Sequence, residues 1–273
     1  MTPTPSVHPD DPSSRPVALV TGAGQRIGRA IALELGRRGW ALALHYRHSA
    51  EAAQALAAEL AASGVLAQTF KADLSGEPQA RGLAEEVIAG MGRWDALVNN
   101  ASLFEYDCAA SFSYATLEAH WRANTAAPVL LSQLLHAHLE RSAGAQGCVV
   151  NLLDQKLWNP NPDYLSYTLS KAALEAANTL LAQALAPRVR VCGVAPGVTL
   201  VSGPMTTAGF EQAHAMTPLR RSSTPEDIAK AVAFLLESPA ITGTTLLVDG
   251  GQHLSSQPRD VLFLTPESPA NGA

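Results

Sequence analysis

The 273-residue chain has few cysteines, no strong excess of charge and no long apolar run, and each lack removes a class of protein. Its three cysteines, Cys108, Cys148 and Cys192, lie far apart with no C-x-x-C, so neither a disulfide framework nor a zinc site is expected. Cys148 and Cys192 fall inside apolar runs and read as core filler. The eight histidines include no H-x-x-x-H pair, and His136 and His138 would lie on different sides of a helix. No metal site is expected. A formal charge of −5 argues against a nucleic-acid or anionic-membrane partner. No stretch approaches the ~20 apolar residues that span a bilayer. The first residues carry prolines and aspartates where a signal peptide needs a basic and then an apolar segment. A cytoplasmic protein is expected.

What the chain has is apolar material, 47% of it, arranged in alternation. Val17–Thr21, Ala41–Tyr46, Ala67–Ala72, Ala96–Asn99, Gly147–Leu153, Val189–Val194 and Thr245–Val248 are short apolar runs, each read as a strand buried on both faces. Between them lie alanine-rich stretches read as helices: Ile27–Arg38, Ala50–Ala62, Gln79–Ala89, Leu117–Leu139, Tyr167–Leu185 and Pro225–Leu236. Thr224-Pro225-Glu226-Asp227 has the order of a cap, a first-turn proline and acids, and Ser49 is placed to cap the second helix. The alternation predicts an α/β fold, a single doubly wound parallel sheet with helices on both faces. Residues 1–15 read as a flexible tail, residues 16–254 as one Rossmann-type domain and residues 255–273 as a C-terminal tail. Within that tail, Val261–Leu264 is an apolar run that could dock on a neighbouring subunit or on its own body.

After the first strand comes Thr21–Gly28, T-G-A-G-Q-R-I-G. Gly22, Gly24 and Gly28 permit a tight turn, and Ile27 opens the following helix. A dinucleotide pyrophosphate would sit on that helix N-terminus. The second strand ends His45-Tyr46-Arg47-His48-Ser49, with no acid before Glu51. An acid there would bind a ribose 2′-hydroxyl. Arg47, Ser49 and His48, with Arg26 in reach, suit a 2′-phosphate instead, so NADPH is expected over NADH. Tyr167 and Lys171 form Y-x-x-x-K, which places both on one helix face. The ammonium is expected to lower the phenol's pKa. Thirteen residues before Tyr167 stands Asp154. Its carboxylate only accepts hydrogen bonds, which suits a substrate bearing N–H groups; read alone, it could simply cap a turn.

From about residue 16 to residue 254 the chain resembles the short-chain dehydrogenase/reductase family. Ala72-Asp73-Leu74, Asn99-Asn100-Ala101 and Val194-Ala195-Pro196-Gly197 match its segments. The resemblance implies that Asp73 and Leu74 contact adenine and that Asn100, Ala101 and Ser102 line the ribose. It places Pro196, Gly197 and Thr199 beside the nicotinamide, and has Asn124 hold a water relay to Lys171. Three departures are similar to the pteridine reductase and dihydromonapterin reductase branch. Arg26 replaces a loop glycine, Asp154 replaces the catalytic serine, and Ser102-Leu103-Phe104 follows Ala101 where glycine is usual. The branch implies a pterin substrate, with Phe104 stacked on it, Ser102 and Arg26 nearby, and a homotetramer built on the Leu117–Leu139 and Tyr167–Leu185 helices. Phe104 could otherwise be a core aromatic. The segments Gln155–Tyr164 and Leu200–Arg221 match no family pattern and are expected to wall the substrate pocket. The rival readings are a reductase of another carbonyl compound and a non-catalytic NADP(H)-binding regulator.

Overall fold

The computed structural model describes residues 15–202 and 205–264. Most of the expected N-terminal tail and the last residues of the C-terminal one lie outside that range. Seven strands form one parallel sheet: β1 (Val17–Val20), β2 (Ala41–Tyr46), β3 (Ala67–Lys71), β4 (Ala96–Asn99), β5 (Gly147–Leu152), β6 (Val189–Pro196) and β7 (Thr245–Val248). They lie in the order β3-β2-β1-β4-β5-β6-β7, every neighbouring pair parallel. Strand order reverses between β1 and β4. A doubly wound sheet opens its binding crevice there, beyond the carboxyl ends of the strands.

Alternate strand residues feed two cores. On one face Ala18, Val20, Leu42, Leu44 and Val98 pack with Ile31 and Leu35 of α1 (Arg26–Arg37), Leu56 and Leu60 of α2 (Ala50–Ala62), and Ile228 and Val232 of α8 (Pro225–Glu237). On the other, Val17, Leu19, Leu97 and Val149 meet Leu83 and Val87 of α3 (Glu77–Met91) and Leu131 and Leu135 of α5 (Ala127–Glu140). Each large aliphatic side chain buried this way contributes about 1.5–3 kcal/mol. The edge strands depart from expectation. In β3 only Phe70 is buried, and every β7 residue is half-buried. An edge strand has a neighbour on one side only, so cover is thinner there.

A second difference lies between Leu117 and Leu139, expected as one helix. There, α4 (Tyr114–Trp121) leads into a five-residue π turn, Arg122–Ala126, before α5. Pro128 has no N–H to reach back to Asn124, and the turn widens, with Ala127 N–H donating to the Arg122 carbonyl instead. Helix α6 spans Leu165–Ala184 and α7 spans Thr207–Ala215. Among the described residues no helix is long and apolar enough to cross a membrane.

Candidate active site

A cleft of about 750 Å³ opens at the switch point. Its cofactor-sized half is built on the loop between β1 and α1. Gly22 has φ +64°, and a Cβ at Gly28 would lie 2.2 Å from the Gly22 carbonyl oxygen and 2.6 Å from Asn100 Nδ2. The loop is braced from beneath. Thr21 Oγ1 accepts from the N–H groups of Asn100 and Ala101, both at 2.9 Å. Asn100 Nδ2 donates to the carbonyls of Thr21 (2.9 Å) and Gly22 (3.1 Å). His45 Nδ1 accepts from Gly22 N–H at 3.1 Å, which leaves Nε2 to donate to the Ala72 carbonyl at 3.1 Å. That tautomer is neutral, and burial pulls the imidazole down to about 4. His45, expected as a cofactor contact, lines the cleft, with one ring nitrogen committed to the glycine loop and the other to the backbone just past β3. Gln25 precedes α1 without a side-chain cap, so the helix's first N–H groups are not claimed by that side chain.

Tyr46, Arg47, His48 and Ser49 line the wall at the end of β2. Ser49 sits at the cap position of α2 but makes no capping bond, contrary to expectation. Asp73 and Leu74 line the cleft as well. The Asp73 carboxylate is held below its usual range by Ser75, whose N–H and hydroxyl both donate to it, with Arg47 and His48 adding attraction. Gly24 packs against the start of α2, where a Cβ would meet Ser49 Oγ at 3.1 Å. Ile27, Ala101 and Ser102 line the middle of the cleft, and Pro196, Gly197 and Thr199 its far end. Thr199 Oγ1 donates to the Gly197 carbonyl at 2.8 Å and lies 2.7 Å from Ser223 Oγ. A glycine cradle with no room for a Cβ at Gly28, a helix N-terminus, and a basic, acid-free strand end fit NADP(H).

At the other half, β5 delivers Asp154 and α6 delivers Tyr167 and Lys171. Asp154 does both things its sequence allowed. Oδ1 accepts the Lys156 N–H at 2.9 Å and caps the 3-10 turn Gln155–Leu157. Oδ2 accepts the Tyr167 hydroxyl at 2.8 Å. Burial raises the Asp154 carboxyl, against the lowering effect of these two donors. The expected lowering of the Tyr167 phenol is not found. Burial and the Asp154 charge push it well above its ordinary value. Lys171 lies 5.8 Å from the Tyr167 ring, and its ammonium donates to the Leu152 carbonyl at 2.7 Å. Burial draws it down to about 8, against the attraction of Asp154.

The Asn124 side chain, at the π turn's centre, braces the segment after β4. Its Oδ1 accepts from Leu103 N–H (2.7 Å) and Ser102 Oγ (3.1 Å). Its Nδ2 donates to the Leu103 carbonyl (2.9 Å) and Ser170 Oγ (3.0 Å). Arg26 lines the cleft beside the glycine loop. At φ +54° it donates to the Val201 carbonyl at 2.9 Å and so ties the glycine loop to the segment after β6. Of that segment, Leu200 and Ser202 line the cleft; Gly203 and Pro204 lie outside the described residues. Phe104 stacks on Tyr164 (4.2 Å, 15°) and meets Tyr167 edge-on (4.7 Å). It is nevertheless 43% exposed and lines the cleft, so it is not a core aromatic.

Sequence reasoning missed an ionic cluster behind Asp154. Lys156 is 4% exposed, donates to the Asp163 carbonyl and lies 3.6 Å from Asp260. Arg259 grips the buried Asp163 carboxylate through Nε and Nη2. The run Val261–Leu264 docks on its own body, with Leu262 packed on Tyr164 and Tyr167, so the packed domain extends to Leu264. A signal was present: charged residues inside the unmatched Gln155–Tyr164 segment, and Arg259-Asp260 just before an apolar run.

A family model described as enoyl-(acyl carrier protein) reductase matches residues 22–253. The chain is 37% identical to an uncharacterized oxidoreductase of Methylorubrum extorquens, covering 86% of this chain and 96% of that one. It is 31% identical to the 3-oxoacyl-[acyl-carrier-protein] reductase FabG of Staphylococcus aureus, over 87% and 98%. It is similar in structure to FolM alternative dihydrofolate reductase 1 of Brucella canis complexed with NADP, with TM-score 0.83, 37% identity, and 90% and 96% coverage. The corresponding Brucella suis structure, also with NADP, gives TM-score 0.82 at 37% identity, over 89% and 97%.

Proposed function

The chain belongs to the short-chain dehydrogenase/reductase family and is an NADP-dependent oxidoreductase, and from that premise we propose that it reduces pterins, dihydropterin to tetrahydropterin. The observation that carries the reading is the part-buried Tyr167–Asp154 hydrogen bond, which opens on the cleft beside the half-exposed Phe104 ring. Bound NADPH supplies the hydride. Tyr167 keeps its proton at neutral pH, because burial and Asp154 hold the phenol high, and it gives that proton to the substrate nitrogen. Asp154 accepts from Tyr167 and from the N–H groups of an amino-pyrimidinone edge, a contact a serine could make only weakly and a ketone would not offer. Phe104 presents a ring for a flat heteroaromatic. Asn124 fixes the Ser102–Leu103 segment that carries Phe104. Lys171 keeps a cation near the acidic pair. Gly22, Gly24, Gly28 and the α1 N-terminus hold the pyrophosphate, and Arg47, His48 and Ser49 hold the 2′-phosphate.

The name dihydrofolate reductase carried by the Brucella proteins supports this reading, and the ketoacyl reductase relatives support its rival. Asp154→Ser separates them. Steady-state rates on dihydrobiopterin, dihydromonapterin and a panel of small ketones should show most dihydropterin turnover lost in Asp154→Ser and Asp154→Asn. Full pterin activity in Asp154→Ser, or ketone reduction alone in the parent, overturns the assignment. The reading extends to a homotetramer, supported by exposed Trp121 on α4 and Leu169 and Leu180 on α6. Light scattering at micromolar concentration checks it.

A further inference from the structure

Behind Asp154 the chain buries charges that neither hydride nor proton transfer uses. The capped turn after Asp154 sends the Lys156 side chain inward, where it is 4% exposed. Its ammonium donates to the Asp163 carbonyl, lies 3.6 Å from Asp260 Oδ2 and stands 5.5 Å from the Tyr164 ring. Asp260 arrives from far along the chain. Its Oδ1 accepts Leu262 N–H at 3.1 Å and caps the turn whose Leu262 presses on Tyr164 and Tyr167. The backbone N–H of Asp260 donates at 2.8 Å to Asp163, whose carboxylate Arg259 also grips. A cation and an anion thus stand paired behind the turn that the Asp154 carboxylate caps through the Lys156 N–H, and both are held in place by backbone bonds. A buried ammonium is costly unless paired, so a position that merely filled space would be better served by methionine or leucine.

We propose that Lys156 and Asp260 are positioning residues that set the protonation of Asp154 in opposite senses, Lys156 favouring the carboxylate and Asp260 the acid. Other charged or titratable groups face the same carboxylate or its neighbours: Tyr167 and Lys171 from α6, Tyr164 and Asp163 before it, Tyr106 after β4, and Arg259 from the C-terminal segment. The Lys156 ammonium attracts the Asp154 charge and Asp260 repels it, and Asp260 also raises the Tyr167 phenol. The C-terminal turn is therefore part of the acid–base machinery through its charge, in addition to packing on the aromatics. The importance for catalysis rests on the pterin reading, in which Asp154 touches substrate; the electrostatic claim does not.

The test reads Asp154 directly. The full-length protein, saturated with NADP⁺ and carrying ¹³C-carboxyl aspartate, is titrated by NMR, with Asp154→Asn identifying the resonance. Lys156→Met should move the Asp154 midpoint up, and Asp260→Asn should move it down, each by roughly half a pH unit or more. The double variant should return it near the parent value. The pH profile of kcat/KM on dihydropterin should follow the same order. Unmoved midpoints, or shifts of the same sign in both single variants, overturn the proposal. Should Lys156→Met fail to fold, Asp260→Asn decides alone: a downward shift supports the proposal, and none sinks it. Opposite midpoint shifts in a protein that reduces no dihydropterin would remove the pterin reading and leave this one standing. Dihydropterin turnover with fixed midpoints would do the reverse.

Discussion

At the cofactor end of the cleft, side chains hold backbone; around Asp154 and Asp260, backbone holds side chains. Thr21, His45 and Asn100 spend their polar atoms on the glycine loop and the backbone beside it, and what faces the cleft is main-chain N–H, a helix terminus and two glycines, Gly22 at positive φ and Gly28 with no room for a Cβ. Across the cleft, N–H groups of Lys156 and Leu262 pin the carboxylates of Asp154 and Asp260, and the groups left to act are ionisable side chains shifted by burial. The first construction suits a phosphate, whose recognition needs fixed dipoles and no chemistry. The second suits proton transfer, which needs groups whose protonation the surroundings decide. It follows that damage at one end should change binding or stability, and damage at the other should change turnover.

The largest test of that division is Tyr167→Phe, which keeps the ring packed on Phe104 and removes the proton. Turnover should fall roughly 10²–10⁴-fold, while NADPH binding, followed by fluorescence, stays nearly constant. Near-normal turnover would mean that another group donates.

His45 probes the other end through stability. Its imidazole falls from 6.5 to about 4 on folding, because burial disfavours the charged form. The unfolded chain therefore takes up a proton first as pH drops. The stability tied to the neutral ring is fully present above pH 6.5 and lost progressively down to about pH 4, a change of roughly 3 kcal/mol. Urea unfolding across that window should show a steeper loss in the parent than in His45→Gln, which does not titrate. Parallel curves would refute the neutral brace.

Smaller is the effect of Arg47→Glu. The parent should favour NADPH over NADH by at least about tenfold in kcat/KM, about 1.4 kcal/mol, and the variant should lose or reverse this. Equal use of both cofactors by the parent would contradict it.

The smallest effect belongs to Arg26, which ties the glycine loop to the segment after β6. Arg26→Gly relieves a left-handed non-glycine residue, and so should leave the melting temperature unchanged or slightly higher. It also cuts the bond to the Val201 carbonyl. KM for dihydropterin should rise by about three- to tenfold, under ~1.4 kcal/mol, with kcat little changed. An unchanged KM would make the clasp decorative.

Much of the fold was legible along the chain because a doubly wound sheet repeats one local unit. The runs at Val17, Ala41, Ala96 and Gly147 alternate with amphipathic stretches, and parallel pairing and helix cover follow from that repetition. The paired departures at Arg26 and Asp154 were equally legible, since each breaks a short pattern. The π turn was not, because Pro128 two residues into a stretch of good helix formers marks a helix start as readily as a fault inside one. Nor was the commitment of His45, Asn124 and Arg26 to backbone partners, for those partners lie 21 to 175 residues away.

Local pattern by itself determined which residues become strands, where glycine must stand, and which titratable groups end at the mouth of the sheet. Those features depend on neighbours within a turn or a strand, and short-range sterics and hydrogen bonding dictate them. The tertiary structure alone decided the state of those groups. Asp154 and Tyr167 share a proton bond, the Lys171 ammonium turns to Leu152, and Asp260 comes back over about a hundred residues to face Lys156. Protonation answers to burial and to charges close in space, and neither distance nor burial is written in the order of the residues.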